Sequence, residues 1–110
     1  MGKNKLNEIK LTHMETMIKT DQKIQLVDGT FTPSETADVV LALLNEKINF
    51  HKLQRISWCE GTADADTKYP DERIAELQKE KEITKEFIAQ VRHMGKKLRI
   101  NGILEISVEE

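Results

Sequence analysis

The chain has 110 residues, of which a third are charged, yet its formal net charge is only −2. This length is typical of one small domain, and the near balance of charge argues against a dedicated nucleic-acid-binding protein, which usually carries a basic excess. Apolar residues make up 38% of the chain and recur in patterns, so we expect a folded core rather than intrinsic disorder.

Cysteine usage and hydropathy indicate the cellular environment. Cys59 is the only cysteine, so no disulfide can form within the chain, and a reducing compartment is the simpler expectation. The first ten residues lack the apolar run of a signal peptide, and no apolar stretch approaches the ~20 residues that a membrane span needs. We expect a soluble cytoplasmic protein with no membrane partner.

The first part of the chain contains two segments that favour extended structure. Residues 1 to 21 fit either a strand or one side of a helix, and three threonines favour the strand interpretation. Residues 23 to 27 alternate apolar and polar side chains and predict a strand. Asp28-Gly29, a pair typical of turns, is expected to end that strand.

The sequence Thr32-Pro33-Ser34-Glu35 is the clearest local signal in the chain. Thr32 suits the N-cap, Pro33 suits the first helical position and Glu35 completes a capping box, so a helix is predicted over residues 33–57. At 100° per residue its apolar side chains fall on two faces, and such a helix must be covered on two sides. One face consists of Ala37, Val40, Leu41, Leu44 and Ile48. The other, which we interpret as an oligomer interface, consists of Val39, Leu43, Phe50 and, less closely, Leu53.

A second long helix is predicted over residues 70–94, after an acidic loop over residues 58–69. Pro70 suits its first position and Gly95 suits its end. Residues 59 to 72 carry five acidic side chains and one basic side chain, a balance of −4, whereas residues 73 to 97 carry seven basic and four acidic side chains, a balance of +3. We expect the two helices to form an antiparallel hairpin with an acidic loop end and a basic opposite end.

The second helix has one interrupted apolar stripe. The stripe comprises Ile74, Leu77, Ile83, Phe87, Ile88, Val91 and Met94. Glu80, Lys81 and Thr84 interrupt it, so a long regular coiled coil is not expected. The interruption fits a solvated stretch of helix or a polar layer between helices.

Residues 98–108 are predicted to form one continuous strand. Asn101-Gly102 is a hairpin signal, but a two-residue turn there would put the apolar side chains on opposite faces. In one strand they share a face, and a register shift of one residue would invert every side chain. We therefore interpret Gly102 as a bend or a point of close contact.

These elements predict a single α+β domain, with a small antiparallel sheet from the N- and C-terminal strands packed on a long helical hairpin. A small sheet covers little of a helix that has two apolar faces, so we expect a homodimer or a larger homo-oligomer.

Few side chains suggest a binding site. Aromatic residues flank the acidic loop and could anchor a ligand or only hold the loop, and a basic cluster at the far end could meet an anion or only solvate the helix terminus. The resulting candidate ligand or partner surface is His51, Trp58, Asp66, Tyr69, Arg73, Arg92, Lys96 and Arg99.

No motif for catalysis, phosphate binding or metal binding is present. Asp64-Ala65-Asp66 lacks the glycine and glutamate of a calcium loop, the histidines lack zinc-ligand spacing, and Cys59 lacks a local catalytic signature. We therefore expect no enzyme, no cofactor and no metal site.

The function that this pattern favours is a non-enzymatic protein-interaction module, an adaptor or inhibitor, acting as a homo-oligomer. The alternative is a protein that holds a small anionic, nucleotide-like ligand at a subunit interface.

Overall fold

A computed structural model describes residues 20–110, so the strand expected before residue 20 lies outside the described residues. In chain order the elements are β1 (Asp21–Phe31), α1 (Pro33–Gly61), α2 (Lys68–Met94) and β2 (Leu98–Ser107). The expected α+β class is confirmed, because β1 and β2 pair as a two-stranded antiparallel sheet and α1 and α2 form an antiparallel hairpin. Neither helix has a stretch long and apolar enough to cross a lipid bilayer.

Several predicted boundaries were wrong. Strand β1 runs through Asp28-Gly29 to Phe31, so this pair forms no turn. Helix α1 continues past residue 57 to Gly61, because residues 58–61 contain no proline and the Thr62 N–H still bonds to the Trp58 carbonyl at 3.2 Å. The loop between the helices is therefore residues 62–67 rather than 58–69.

Helix α2 begins two residues before the predicted start. Its N-cap is Thr67, and the Asp66 carboxylate accepts a hydrogen bond from the Lys68 N–H at 3.0 Å. Pro70 then occupies the third helical position, where its missing N–H still costs nothing because the first four N–H groups of a helix have no partner within it. Gly95 ends the helix with φ +67°, the left-handed conformation that glycine adopts without strain.

Contacts group the described residues into two compact units. One unit comprises residues 20–28 with residues 101–110, the outer parts of the two strands. Within it the Val108 N–H bonds to the Thr20 carbonyl at 2.8 Å, and the Gln25 amide donates to Asn101 Oδ1 at 2.7 Å. Large apolar side chains of this ribbon remain exposed.

The predicted continuity of the C-terminal strand is confirmed. Strand β2 runs without a turn through Gly102, which is not among the positive-φ glycines of the described chain. A Cβ atom on Gly102 would lie 3.1 Å from Val27 Cγ1 on the paired strand. Gly102 is thus a point of close contact between strands, as one of the two interpretations of the sequence expected.

The second unit comprises residues 29–100 and contains the helical hairpin. Two contacts fix the register of the helices: Arg92 Nη2 donates to Ser34 Oγ at 3.4 Å, and Arg55 Nε lies 3.2 Å from Asp71 Oδ1. In both pairs the residue numbers sum to 126, and in the ring contact between His51 and Tyr69 they sum to 120, so residues with a sum near 126 lie within about one helical turn of the same level. The buried apolar side chains of the described chain are few: Ile48, Leu77, Ile88 and Val91.

The predicted capping box at the start of α1 is present. Thr32 Oγ1 accepts a hydrogen bond from the Glu35 N–H at 3.1 Å, and Glu35 Oε1 accepts one from the Thr32 N–H at 2.9 Å. The hydrogen bond from the Thr32 backbone, assisted by the Thr32 side chain, holds the pKa of Glu35 below its ordinary value. Both partners therefore stabilise the helix start.

Replacing Thr32 by alanine removes the side-chain half of this box. We expect Thr32→Ala to lower the free energy of unfolding by ~1 kcal/mol, the typical cost of a lost N-cap. Chemical denaturation of the two proteins measures the difference. An unchanged midpoint would contradict the assigned role of the cap.

The close contact at Gly102 predicts a coupling between the two strands. Gly102→Val should lower the free energy of unfolding by about 1 kcal/mol, because Val27 must move to admit the new side chain. In a Val27→Ala background the same substitution should cost less, since the atom in the way is gone. Chemical denaturation of the wild type, the two single variants and the double variant tests this. If Gly102→Val lowers the free energy of unfolding equally in both backgrounds, the contact with Val27 is not the cause of the loss.

Candidate functional site

The predicted candidate His51 lies inside the hairpin, close to the loop end. Its side chain is 1% exposed, and its ring makes edge contacts with Phe50 and with Tyr69 of the first turn of α2, with centroids 5.2 and 5.8 Å apart. His51 Nδ1 lies within hydrogen-bond distance of Gln54 Oε1, at 3.0 Å. Nε2 is buried and has no hydrogen-bond partner. His51 therefore packs the two helices together rather than facing solvent as an edge residue.

The other predicted residues at the loop end have local structural roles. Asp66 caps α2 through the Lys68 N–H. Arg73 pairs with Glu76 one turn further along α2. Trp58 lies in the last turn of α1, beyond the predicted end of that helix, and is partly exposed.

The predicted basic residues lie at the opposite end of the hairpin. Arg92 is in the last turn of α2 and donates to Ser34, Lys96 follows the helix, and Arg99 is on β2. Tyr69 and Arg92 are 23 residues apart on one helix, which corresponds to roughly 35 Å. The eight predicted residues therefore form two separate groups and not one pocket.

The side chains that could support thiol or metal chemistry do not come together either. Cys59 is exposed on α1, two helical turns beyond His51 and so roughly 12 Å along the axis, too far for a hydrogen bond. Among residues 20–110 no group of three or more histidine, cysteine or carboxylate side chains could hold a metal ion.

A larger feature of the hairpin is a line of exposed apolar side chains on each helix. On α1 this line contains Leu43 and Phe50, with half-buried Val39 beside them. On α2 it contains Tyr69, Ile83, Phe87 and Met94, with exposed fractions of 51 to 61%. On a helical wheel with 100° per residue, the exposed line of each helix lies roughly 100° away from the buried line of that helix. The direction of this rotation is the same in both helices.

The two lines lie on the same side of the hairpin. Because α1 and α2 are antiparallel, an equal displacement in the same sense points both lines to one face. The register places Leu43 at the level of Ile83 and Val39 at the level of Phe87. We call the face formed by Val39, Leu43, Phe50, Tyr69, Ile83, Phe87 and Met94 the apolar face.

The opposite side of the hairpin is mostly polar. The same rotation in the other sense reaches exposed Asn45, Lys52 and Ile56 on α1, and exposed Gln78, Lys85 and Ala89 on α2. The hairpin as a whole is therefore amphipathic, with solvent suited to one side only.

A groove lies on the α2 half of the apolar face. Its volume is about 460 Å³, and its walls are Arg73, Glu76, Leu77, Lys79, Glu80 and Ile83. It lies between Tyr69 and Ile83, where charged side chains take the place of large exposed apolar ones on this face. This segment overlaps the polar interruption noted in the sequence, of which Lys81 and Thr84 are half-buried and Glu80 is exposed.

The sequence pattern did not assign the α2 residues of this face to an interface. The sequence pattern grouped them with the core as one stripe, but the structure divides that stripe: Leu77, Ile88 and Val91 are buried, whereas Ile83, Phe87 and Met94 are half-exposed or more. A helical-wheel plot separates the two sets by roughly 100°, so the signal was present in the sequence.

No family model, no curated protein and no solved structure matches this chain.

The buried position of His51 predicts a structural role. His51→Ala should lower the free energy of unfolding by about 2–3 kcal/mol, since it leaves a cavity between the helices. The matched control is Lys52→Ala, the next residue on the exposed polar side, for which a change below about 0.5 kcal/mol is expected. Chemical denaturation compares the two variants, and equal midpoints would mean that His51 does not hold the hairpin together.

Proposed function

We propose that this chain is a non-enzymatic protein-interaction module, an adaptor or inhibitor, that works as a homo-oligomer. The observation that supports this proposal is the apolar face, a set of seven apolar side chains on one side of both helices, interrupted on α2 by the charged walls of the groove. Exposed apolar surface of this extent on a small domain marks an interaction site. The module is expected to act in the cytoplasm, where exposed Cys59 stays reduced.

The amount of exposed apolar surface supports a stable rather than a fleeting contact. Leu43, Phe50, Ile83, Phe87, Met94 and Tyr69 are each between 43 and 61% exposed. With roughly 100 Å² of exposed area for each large side chain, the face offers roughly 600 Å² per chain, close to the ~800 Å² per partner of a standard protein interface. Flanking polar side chains would supply the remainder.

The proposal assigns a binding role to the surface and not to a pocket. Of the two residues that thiol catalysis would need, His51 is enclosed between the helices and Cys59 lies roughly 12 Å away along α1. The predicted anion-binding residues lie at the end of the hairpin remote from the aromatic ones. Within one chain these two groups do not form a pocket, so the apolar face is the stronger support, and it supports the interaction module.

A charge placed on the apolar face should separate the chains. Wild-type protein should sediment as a dimer or larger at micromolar concentration, whereas Phe87→Asp should sediment as a monomer, because burying an unpaired carboxylate is costly. Phe87 is 53% exposed within the chain, so the hairpin itself should retain its helical circular dichroism.

The matched control is Gln78→Asp, which puts the same carboxylate on the polar side of the same helix. It should sediment like the wild type. A monomeric wild-type protein at micromolar concentration, or equal dissociation by the two variants, would remove the basis of the proposal.

A further inference from the structure

We propose that the occupant of the apolar face is a second copy of this chain, placed end for end, so that α1 packs on α1 and α2 packs on α2 of its partner. This inference rests on the proposed function and adds the identity, orientation and register of the partner. It follows from the symmetry of the face, from the distribution of charge along the hairpin and from the position of the groove.

Symmetry leaves two ways to stack two hairpins face to face about a two-fold axis. If the axis runs parallel to the helices, α1 of one copy covers α2 of the other, and the two loop ends lie together. If the axis runs across the helices, each helix covers its own counterpart in an antiparallel direction, and the loop end of one copy lies on the opposite end of the other. Closed two-fold pairs of this kind are the commonest oligomers.

Charge distinguishes between the two arrangements. The loop end, residues 59 to 72, carries a balance of −4, and Arg55 of α1 pairs with Asp71 there, which leaves the end acidic. The opposite end carries Arg92, Lys96 and Lys97 beside Glu35 and Asp38 of α1, three positive charges against two negative ones, and is weakly basic. In the loop-on-loop arrangement two strongly acidic segments would meet, which is repulsive within the Debye length of about 8–10 Å. In the end-for-end arrangement each acidic end meets a basic end, so both ends attract.

The register of the face fits the same arrangement. The apolar face extends over residues 39–50 of α1 and 69–94 of α2, so its middle lies near Leu43 and Ile83, which are at the same level of the hairpin. A two-fold axis that crosses the helices at this level places Leu43 opposite Leu43 of the partner copy and Ile83 opposite Ile83 of the partner copy. It also places Phe87 of one copy at the level of Lys79 of the other, within the groove of about 460 Å³. Glu72 then lies opposite the segment that holds Met94 to Lys97.

Disulfide trapping tests this arrangement directly. In a Cys59→Ser background, which removes the native thiol, single cysteines are introduced as Leu43→Cys, Ile83→Cys and, on the polar side, Gln78→Cys. Mild oxidation followed by non-reducing electrophoresis and mass spectrometry records the rate of cross-linking. In the end-for-end dimer, Leu43→Cys and Ile83→Cys each cross-link to themselves at least tenfold faster than Gln78→Cys.

The other outcomes overturn the inference in distinguishable ways. If cross-links form only when Leu43→Cys and Ile83→Cys are mixed, the hairpins stack loop on loop. If no variant cross-links faster than Gln78→Cys while sedimentation still shows dimers, another surface joins the copies, and the orientation is wrong although self-association stands. If sedimentation shows only monomers, the proposed function itself fails.

Charge reversal is an independent test, because the two arrangements predict opposite changes in dimer affinity. Lys96→Glu weakens an end-for-end dimer several-fold at low ionic strength, because it removes positive charge that faces the acidic loop end of the partner, whereas it tightens a loop-on-loop dimer by reducing repulsion between basic ends. High salt should abolish the effect. Lys85→Glu, at the exposed middle of the polar side, serves as the control and should leave the dissociation constant within twofold of the wild type. A dimer tightened by Lys96→Glu would contradict the proposal.

Discussion

Two helices can touch only along one line of each, and this geometric limit decides how much apolar surface the hairpin can cover by itself. The line of contact buries Ile48 on α1 and Leu77, Ile88 and Val91 on α2. A second line of apolar side chains on each helix, including Phe50 and Phe87, remains half-exposed. A third layer is needed to cover that second line, and nothing in a two-helix unit provides one.

The contact between the helices is itself only partly apolar. His51 is buried in it with a ring nitrogen that lacks a partner, and Lys81 and Thr84 are half-buried on the same side of α2 as the buried residues. Unpaired buried polar groups reduce stability, so a hairpin of this composition gains little from its own interface. Association that binds only the folded chain would raise stability through mass action, which links folding to self-association. The exposed apolar face and the small core are therefore linked: the first allows the self-association that compensates for the second.

Local signals predicted the architecture well, and their failures have identifiable causes. The capping box at Thr32 and the continuity of β2 depend on short-range chemistry and on the alternation of side chains, both of which the sequence displays directly. The end of α1 was set too early, because Trp58 and Cys59 contain no signal to stop a helix. Asp28-Gly29 was assigned to a turn although both residues fit an extended strand, and only pairing with β2 decides between them.

The sequence separates the two apolar lines of each helix, but it does not show which line faces the neighbouring helix, because that depends on register. Val39, Leu43 and Phe50 were identified as a second face from α1 alone. Their counterparts on α2 were assigned to the core, since a wheel plot of one helix cannot show which line faces its neighbour. The contacts of Ser34 with Arg92 and of Arg55 with Asp71 fix that relation. His51 was placed on the candidate ligand or partner surface for the same reason, as its burial beside Tyr69 depends on the other helix.

The central claim is that the apolar face of the hairpin is covered by another copy of the chain. Small-angle X-ray scattering at increasing concentration tests it most directly, because forward scattering gives molar mass and the cross-section of the particle reports a second helical layer. The account predicts a mass of twice the 12.7 kDa of one chain, with a cross-section thickened by a second pair of helices. A mass of 12.7 kDa at all concentrations up to high micromolar would contradict it.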